Sequence, residues 1–221
     1  NYQNLTQRID TLINEKLRHQ LIIKESRIRT LQAQINPHFL YNTLDTINAM
    51  ATTTQNEEIS LMVTNLASIM RYSIHDSITA NVRTEVEHLR QYLSIQKTRY
   101  GSRLNIELYI SDECLDFKLP TLTLQPLVEN AIKYSTEAQV NNCYIKVRVY
   151  NNRNNVVISV SDNGIGMPLP IQKFLLNKEF EKIPGHGLKN VFLRLDDYFN
   201  KQLTVSVKSS ENLFTIIKIT I

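Results

Sequence analysis

Three short clusters and one histidine in this chain have the residue types and spacing to do chemistry. In Gln125-Pro-Leu-Val-Glu-Asn-Ala-Ile-Lys-Tyr-Ser135, Asn130 precedes Lys133 by three residues and Tyr134 by four, so a helix puts all three on one face. An amide oxygen is a neutral hard ligand for Mg²⁺, and a lysine one turn on reaches phosphate. Alone, the same residues describe any solvated side of a helix. Ser161-Asp-Asn-Gly-Ile-Gly-Met167 follows a β-branched run. Asp162 can accept a hydrogen bond from an exocyclic amine such as adenine N6, and Gly164 and Gly166 allow backbone close to a ring or phosphate. A simple Asn-Gly turn explains the same letters. Gly185-His-Gly-Leu-Lys-Asn-Val191 would open a helix, with bare N–H groups and the positive dipole end turned to an anion, or serve as a plain flexible entry. The histidine is His38; a neutral imidazole is a good nucleophile near pH 7 and can carry a phosphoryl group on nitrogen. His19, His75 and His88 read as surface or satisfied core residues.

The elements that must position these groups change character along the chain. Up to Tyr100 there is one proline, Pro37, and no glycine. Apolar residues recur at helical spacing through Leu5, Ile9, Leu12, Leu17, Leu21, Ile28, Leu31 and Ile35, then Leu44, Ile47 and Met50. The polar stretch Thr52 to Glu57 predicts a turn, and Ile59, Met62, Leu66, Ile69 and Met70 predict a second amphipathic helix. A hairpin of two such helices cannot bury both faces, so pairing with a second copy into a four-helix bundle is expected. A third helix is expected over Glu85 to Tyr100, stopped by Gly101. Beyond Arg103, Leu104–Ile110 and Ile145–Val149 alternate, and Val156–Val160, Leu203–Val207 and Phe214–Ile221 complete a set of strands. Helices are expected from about Thr121 to Ser135 and Leu188 to Phe199. Helices on one mostly antiparallel sheet make an α+β layer domain, with its boundary near Gly101.

Composition narrows the class. Hydrophobic residues are 42% and charged residues 21% of the 221, which suits a folded globular chain rather than a disordered one. The net charge of +4 comes without a run of Lys and Arg, so no nucleic-acid partner is expected. Cys114 and Cys143 have neither metal-ligand spacing nor the density of a disulfide scaffold, which fits a reducing compartment. No apolar stretch reaches the roughly 20 residues that span a bilayer. The chain opens at Asn1 rather than Met and reads as a piece of a longer protein.

Each cluster is ambiguous, but the order and spacing of all three resemble the N, G1 and G2 boxes of the GHKL ATP-binding fold. Histidine kinases, type II topoisomerases, Hsp90 chaperones and MutL share it. The resemblance covers about Arg103 to Ile221. It implies a GHKL/Bergerat α/β sandwich binding ATP and Mg²⁺, with Asn130 on the metal and Asp162 on adenine. Lys133 and Tyr134 would belong to the nucleotide site, Gly164, Gly166, Gly185 and Gly187 would shape the ring and phosphate pocket, and Pro168–Pro184 would be a lid. GHKL hydrolases place a water-activating Glu four residues before the box asparagine; here that residue is Pro126, and Glu129 points about 100° away around the helix. Upstream, Leu31-Gln-Ala-Gln-Ile-Asn-Pro-His-Phe-Leu-Tyr-Asn-Thr-Leu44 closely resembles the phosphoacceptor segment of LytS/YesM-type sensor histidine kinases. Tyr92-Leu-Ser-Ile-Gln-Lys-Thr-Arg-Tyr-Gly-Ser-Arg-Leu104 and the Gln125–Ser135 helix match the same type.

That resemblance implies autophosphorylation of His38 from ATP and transfer to an aspartate on a response-regulator receiver domain. It implies a role for Asn42 in orienting the water that dephosphorylates the partner. Phe39 stands where commoner histidine kinases carry an acidic base, so the base is left unassigned. The implied organisation is a signalling or coiled-coil helix over 1–30, dimerisation and phosphotransfer helices over 31–100, and a catalytic domain over 101–221. The whole would be the cytoplasmic portion of a bacterial membrane receptor, working as a homodimer. The competing expectations are a GHKL ATPase and a nucleotide-binding receptor module without phosphotransfer.

Overall fold

A computed structural model of the chain describes residues 37–74, 77–138 and 142–221. The expected helix over 1–30, the Leu5–Ile35 stripe, His19 and His75 lie outside the described residues. Two compact units divide between Val63 and Thr64.

The first unit holds α1 (Pro37–Thr53) and the start of α2 (Glu57–Ile74). Pro37 sits at the first helical position, where its missing N–H costs no hydrogen bond. Gln55 turns the chain with a positive φ of 52°. Asn56 caps α2 by accepting from Ile59 N at 3.1 Å, and Glu57 and Glu58 occupy the first turn, where the dipole favours anions. Ser60 Oγ donates to Asn48 Oδ1 at 2.7 Å across the hairpin. Leu44, Ala51 and Val63 are buried, while Phe39, Ile47, Met50, Ile59 and Leu61 remain exposed. The hairpin is thus as expected.

The second unit continues α2 and adds β1 (Thr79–Asn81), α3 (Val82–Tyr100), β2 (Leu104–Ile110), β3 (Lys118–Pro120), α4 (Leu124–Glu137), β4 (Cys143–Asn152) and β5 (Asn155–Asp162). It ends with α5 (Leu169–Leu176), α6 (Gly187–Tyr198), β6 (Thr204–Ser210) and β7 (Phe214–Thr220). The main sheet has the order β2-β4-β5-β7-β6. Only β2 and β4 pair in parallel, across the α4 crossover that such a pairing requires. On β4, Cys143, Ile145, Val147 and Val149 are buried under helices, whereas Tyr144 and Arg148 face solvent. α4 packs on β4, β5 and α6, α5 packs on β6, and α3 packs on α4. This is the α/β sandwich expected from the sequence.

Two boundaries differ for physical reasons. α3 starts at Val82 rather than Glu85 because Asn81 caps it, accepting from Thr84 N at 2.9 Å. α4 starts at Leu124 rather than Thr121 because Leu122 takes a φ of 56°, which no α-helix tolerates. Gly101 ends α3 as expected, with a φ of 59°. The composition changes at Gly101, yet α3 packs with the sheet unit.

Candidate functional site

A cavity of about 330 Å³ opens between α4, the end of β5 and the start of α6. It gathers seven of the eight residues expected for the nucleotide site: Asn130, Lys133, Tyr134, Asp162, Gly166, Gly185 and Gly187. α4 supplies the first three through its i, i+3, i+4 geometry, held in place by buried Leu127, Val128, Ala131 and Ile132, of which Leu127 and Ala131 also line the cavity. Lys133 Nζ lies 3.9 Å from Glu137 Oε1 and 5.2 Å from the Tyr134 ring centroid.

Asp162 ends β5, in register with Ile145 on one side and Thr215 on the other. Burial pushes its carboxyl up to about 6, against the Gly164 N–H, which donates to Oδ1 at 2.9 Å and pulls the other way. The carboxylate can therefore still accept from a ligand amine at neutral pH. Thr215 is itself buried and lines the cavity beside it.

The glycines divide by task. A Cβ on Gly164 would stand 2.7 Å from the Tyr134 carbonyl, so this residue is needed for close approach to α4. Gly164 does not line the cavity among the described residues; it acts there through Asp162. Gly166 has a φ of 78°, and a Cβ would fall 2.5 Å from Ser210 O, in the β6–β7 turn. Gly185 (φ 80°) and Gly187 face open space, at the start of a helix that no side chain caps among the described residues. Leu188, Val191, Phe192 and Leu195 anchor α6, and its first residues, Gly187 and Leu188, line the cavity, where the uncapped N–H groups of a helix start suit an anion. His186 also lines the cavity.

The segment expected to be a lid is itself folded. Leu175 of α5 is fully buried, Phe180 stacks on Phe192 with centroids 5.1 Å apart, and Lys189 Nζ meets Glu181 Oε2 at 2.6 Å. Ile171, Ile183 and Met167 form an apolar wall suited to a planar ring.

The donor set fits Mg-ATP. Mg²⁺ keeps most of its waters and takes nucleotide phosphate oxygens, so the single amide oxygen of Asn130 suffices as a protein ligand. No group of three or more His, Cys, Asp or Glu that could hold a metal occurs among the described residues. Asp162 is the only carboxylate lining the cavity there; Glu129 is exposed and accepts from Gln125 Nε2 at 2.9 Å.

His38 lies in the first turn of α1, exposed, with Asn42 Nδ2 3.4 Å from its Nδ1 one turn on. Phe39 is 65% exposed. Missed at the sequence level were Thr215, whose place only strand register reveals, and Glu85, a buried carboxylate on α3. Glu85 accepts from the N–H groups of Leu122, Thr123 and Leu124 at 2.6, 2.8 and 2.9 Å, and so caps α4.

No described helix is long and apolar enough to cross a membrane. Residues 26–104 match the family model described as histidine kinase, and residues 116–221 match that of histidine kinase-, DNA gyrase B- and HSP90-like ATPases. The chain is 40% identical over 220 residues to the sensor histidine kinase YesM of Bacillus subtilis, covering 98% of this chain and 37% of that protein. It is 31% identical over 199 residues to the sensor protein LytS of Staphylococcus epidermidis, covering 88% and 34%. Against the sensor histidine kinase BtsS of Escherichia coli it is 31% identical over 199 residues, covering 90% and 34%. It spans about a third of the length of these relatives.

Proposed function

We propose, because the chain belongs to the sensor histidine kinases of the LytS/YesM type, that it is an ATP-dependent protein-histidine kinase core whose phosphoacceptor is His38. The observation that carries this reading is the convergence of Asn130, Lys133 and Asp162 with the bare start of α6 on one cavity. Asp162 accepts from the adenine amine, the apolar wall takes the ring, and the N–H groups at Gly185–Gly187 receive phosphate. Bound Mg²⁺ would neutralise charge on the transferring phosphoryl group, with Asn130 as its protein ligand. Lys133 and the α6 amides add positive potential where negative charge develops.

An imidazole nitrogen of His38 attacks the γ-phosphorus in line. The bond from phosphorus to the bridging oxygen breaks, ADP leaves, and the ring sheds its proton. The phosphoryl group then passes to a receiver-domain aspartate of a response regulator, and Asn42 orients the water that later removes it. The apolar face of the hairpin supports homodimerisation through a four-helix bundle, with phosphotransfer assigned to 31–100 and nucleotide binding to 101–221. On the likeness to proteins named as sensor kinases, this chain is placed as the cytoplasmic part of a membrane-anchored receptor. Pro126, and Glu129 turned to Gln125, speak against a hydrolase.

The decisive test is γ-labelled ATP with the 221-residue chain. Wild type should acquire an acid-labile, alkali-stable phosphate, and His38→Gln should acquire none. Equal labelling of the variant overturns the assignment.

A further inference from the structure

Four helices meet at one carboxylate and one strained residue, away from the cavity lining. Glu85, on α3, is only 2% exposed. It accepts from three successive N–H groups at the start of α4, which has no cap of its own because Thr123 Oγ1 is committed to Pro120 O. Glu85 also accepts a short hydrogen bond from the Tyr72 hydroxyl, on the last turns of α2. Tyr72 stacks on His88 with ring centroids 3.7 Å apart, and burial first, then Glu85, pushes its hydroxyl well above the usual range.

Leu122 carries the strain. A leucine at a φ of 56° crowds its Cβ against the backbone, and such a conformation persists only when its surroundings hold it. Both its backbone groups are held: the N–H by Glu85, and the C=O by Arg194 Nη2 of α6 at 2.7 Å. The chain Tyr72–Glu85–Leu122–Arg194 thus joins α2 to α4 and α6. Those are the helices that carry Asn130 and open at Gly187 on the cavity. Releasing either hold lets Leu122 return to negative φ, which shifts the start of α4 relative to α6.

We infer that Tyr72, Glu85 and Arg194 are positioning residues that couple the last turns of α2 to nucleotide binding through the backbone of Leu122. A nucleotide clamped between α4 and α6 favours the held state of Leu122, and so steadies Tyr72. By linkage, the state of α2 changes nucleotide affinity by the same factor. The inference rests on the nucleotide reading above, and goes beyond it in naming the path between the site and the hairpin helix. A cap that was merely structural would alter stability and leave this linkage unchanged.

The test is amide hydrogen exchange over residues 64–74 of the 221-residue chain, with and without saturating MgADP, beside MgADP titrations. Wild type should bind MgADP and exchange about fivefold more slowly in that segment when it is bound. Tyr72→Phe keeps the ring stack on His88 and removes only the hydroxyl. It should fold, lose the slowing, and bind MgADP weaker by a similar factor. Arg194→Met should behave likewise, and Arg194→Lys, which can still donate to Leu122 O, should recover part of the effect. Saturable binding with no slowing in wild type, or undiminished slowing in Tyr72→Phe, overturns the coupling and leaves the nucleotide reading standing. No saturable binding by wild type overturns both.

Discussion

Glu85 and Asp162 are two carboxylates beside the same helix, and they are satisfied in opposite ways. Glu85 takes four donors from the protein and closes the start of α4. Asp162 takes the Gly164 N–H and turns to the cavity, raised toward neutrality by burial. The two helix starts repeat the contrast. That of α4 is filled by a protein anion, whereas that of α6 is bare and opens on the cavity. An anion-binding helix start is useful to a ligand only if the protein does not fill it first. The difference separates groups that hold the fold from groups left open to a ligand in the cavity.

The sharpest way to break this contrast is Glu85→Ala. It leaves three amides and a tyrosine hydroxyl without their acceptor, and should destabilise the chain by at least about 3 kcal/mol in urea denaturation. A loss under about 1 kcal/mol would deny Glu85 its structural role. Next come the glycines. Gly166→Ala meets the Ser210 backbone at a left-handed φ and should cost about 2–3 kcal/mol. Gly187→Ala meets open space, so its melting temperature should stay within about 2 °C of wild type. Its MgADP affinity should nevertheless fall about tenfold, about 1.4 kcal/mol. Unchanged affinity would remove the α6 start from the site.

The smallest effect is a pH signature of Asp162. Its folded value, about 6, lies above the ordinary 3.8, so folding disfavours its charged form. The stability it contributes is complete below pH 3.8 and lost as pH rises through about 6. Relative to wild type, Asp162→Asn should therefore gain stability between about pH 4 and 6 and hold that gain at pH 7, while binding nucleotide more weakly. A stability gap flat across that window would contradict the buried placement of Asp162.

Much of this was legible from local pattern. The alternation of Leu104–Ile110 gives β2, Gly101 ends α3, and the spacing of Asn130, Lys133 and Tyr134 puts them on one cavity wall. What local pattern does not reach is set by long-range pairing. Strands β1 and β3 are three residues each and exist only through each other. The α5 turn inside the expected lid follows from packing of Leu175 and Phe180. Glu85 looks like any acidic residue in a helix's first turn, and its real partners lie 37 to 39 residues on. The reason Gly164 and Gly166 are glycines is also invisible locally, because the atoms they avoid belong to Tyr134 and Ser210.

The reach of Glu85 decides where this protein can be cut. The ATPase family model covers 116–221, and a piece starting at Gly101 would contain every residue of the cavity. Such a piece loses the carboxylate that closes α4 and the helix that packs against it. Excised at Gly101, the half that carries the cavity should be less stable than one beginning at Thr64. The compact unit is thus longer than its sequence signature, and it takes its last support from α3, upstream of Gly101.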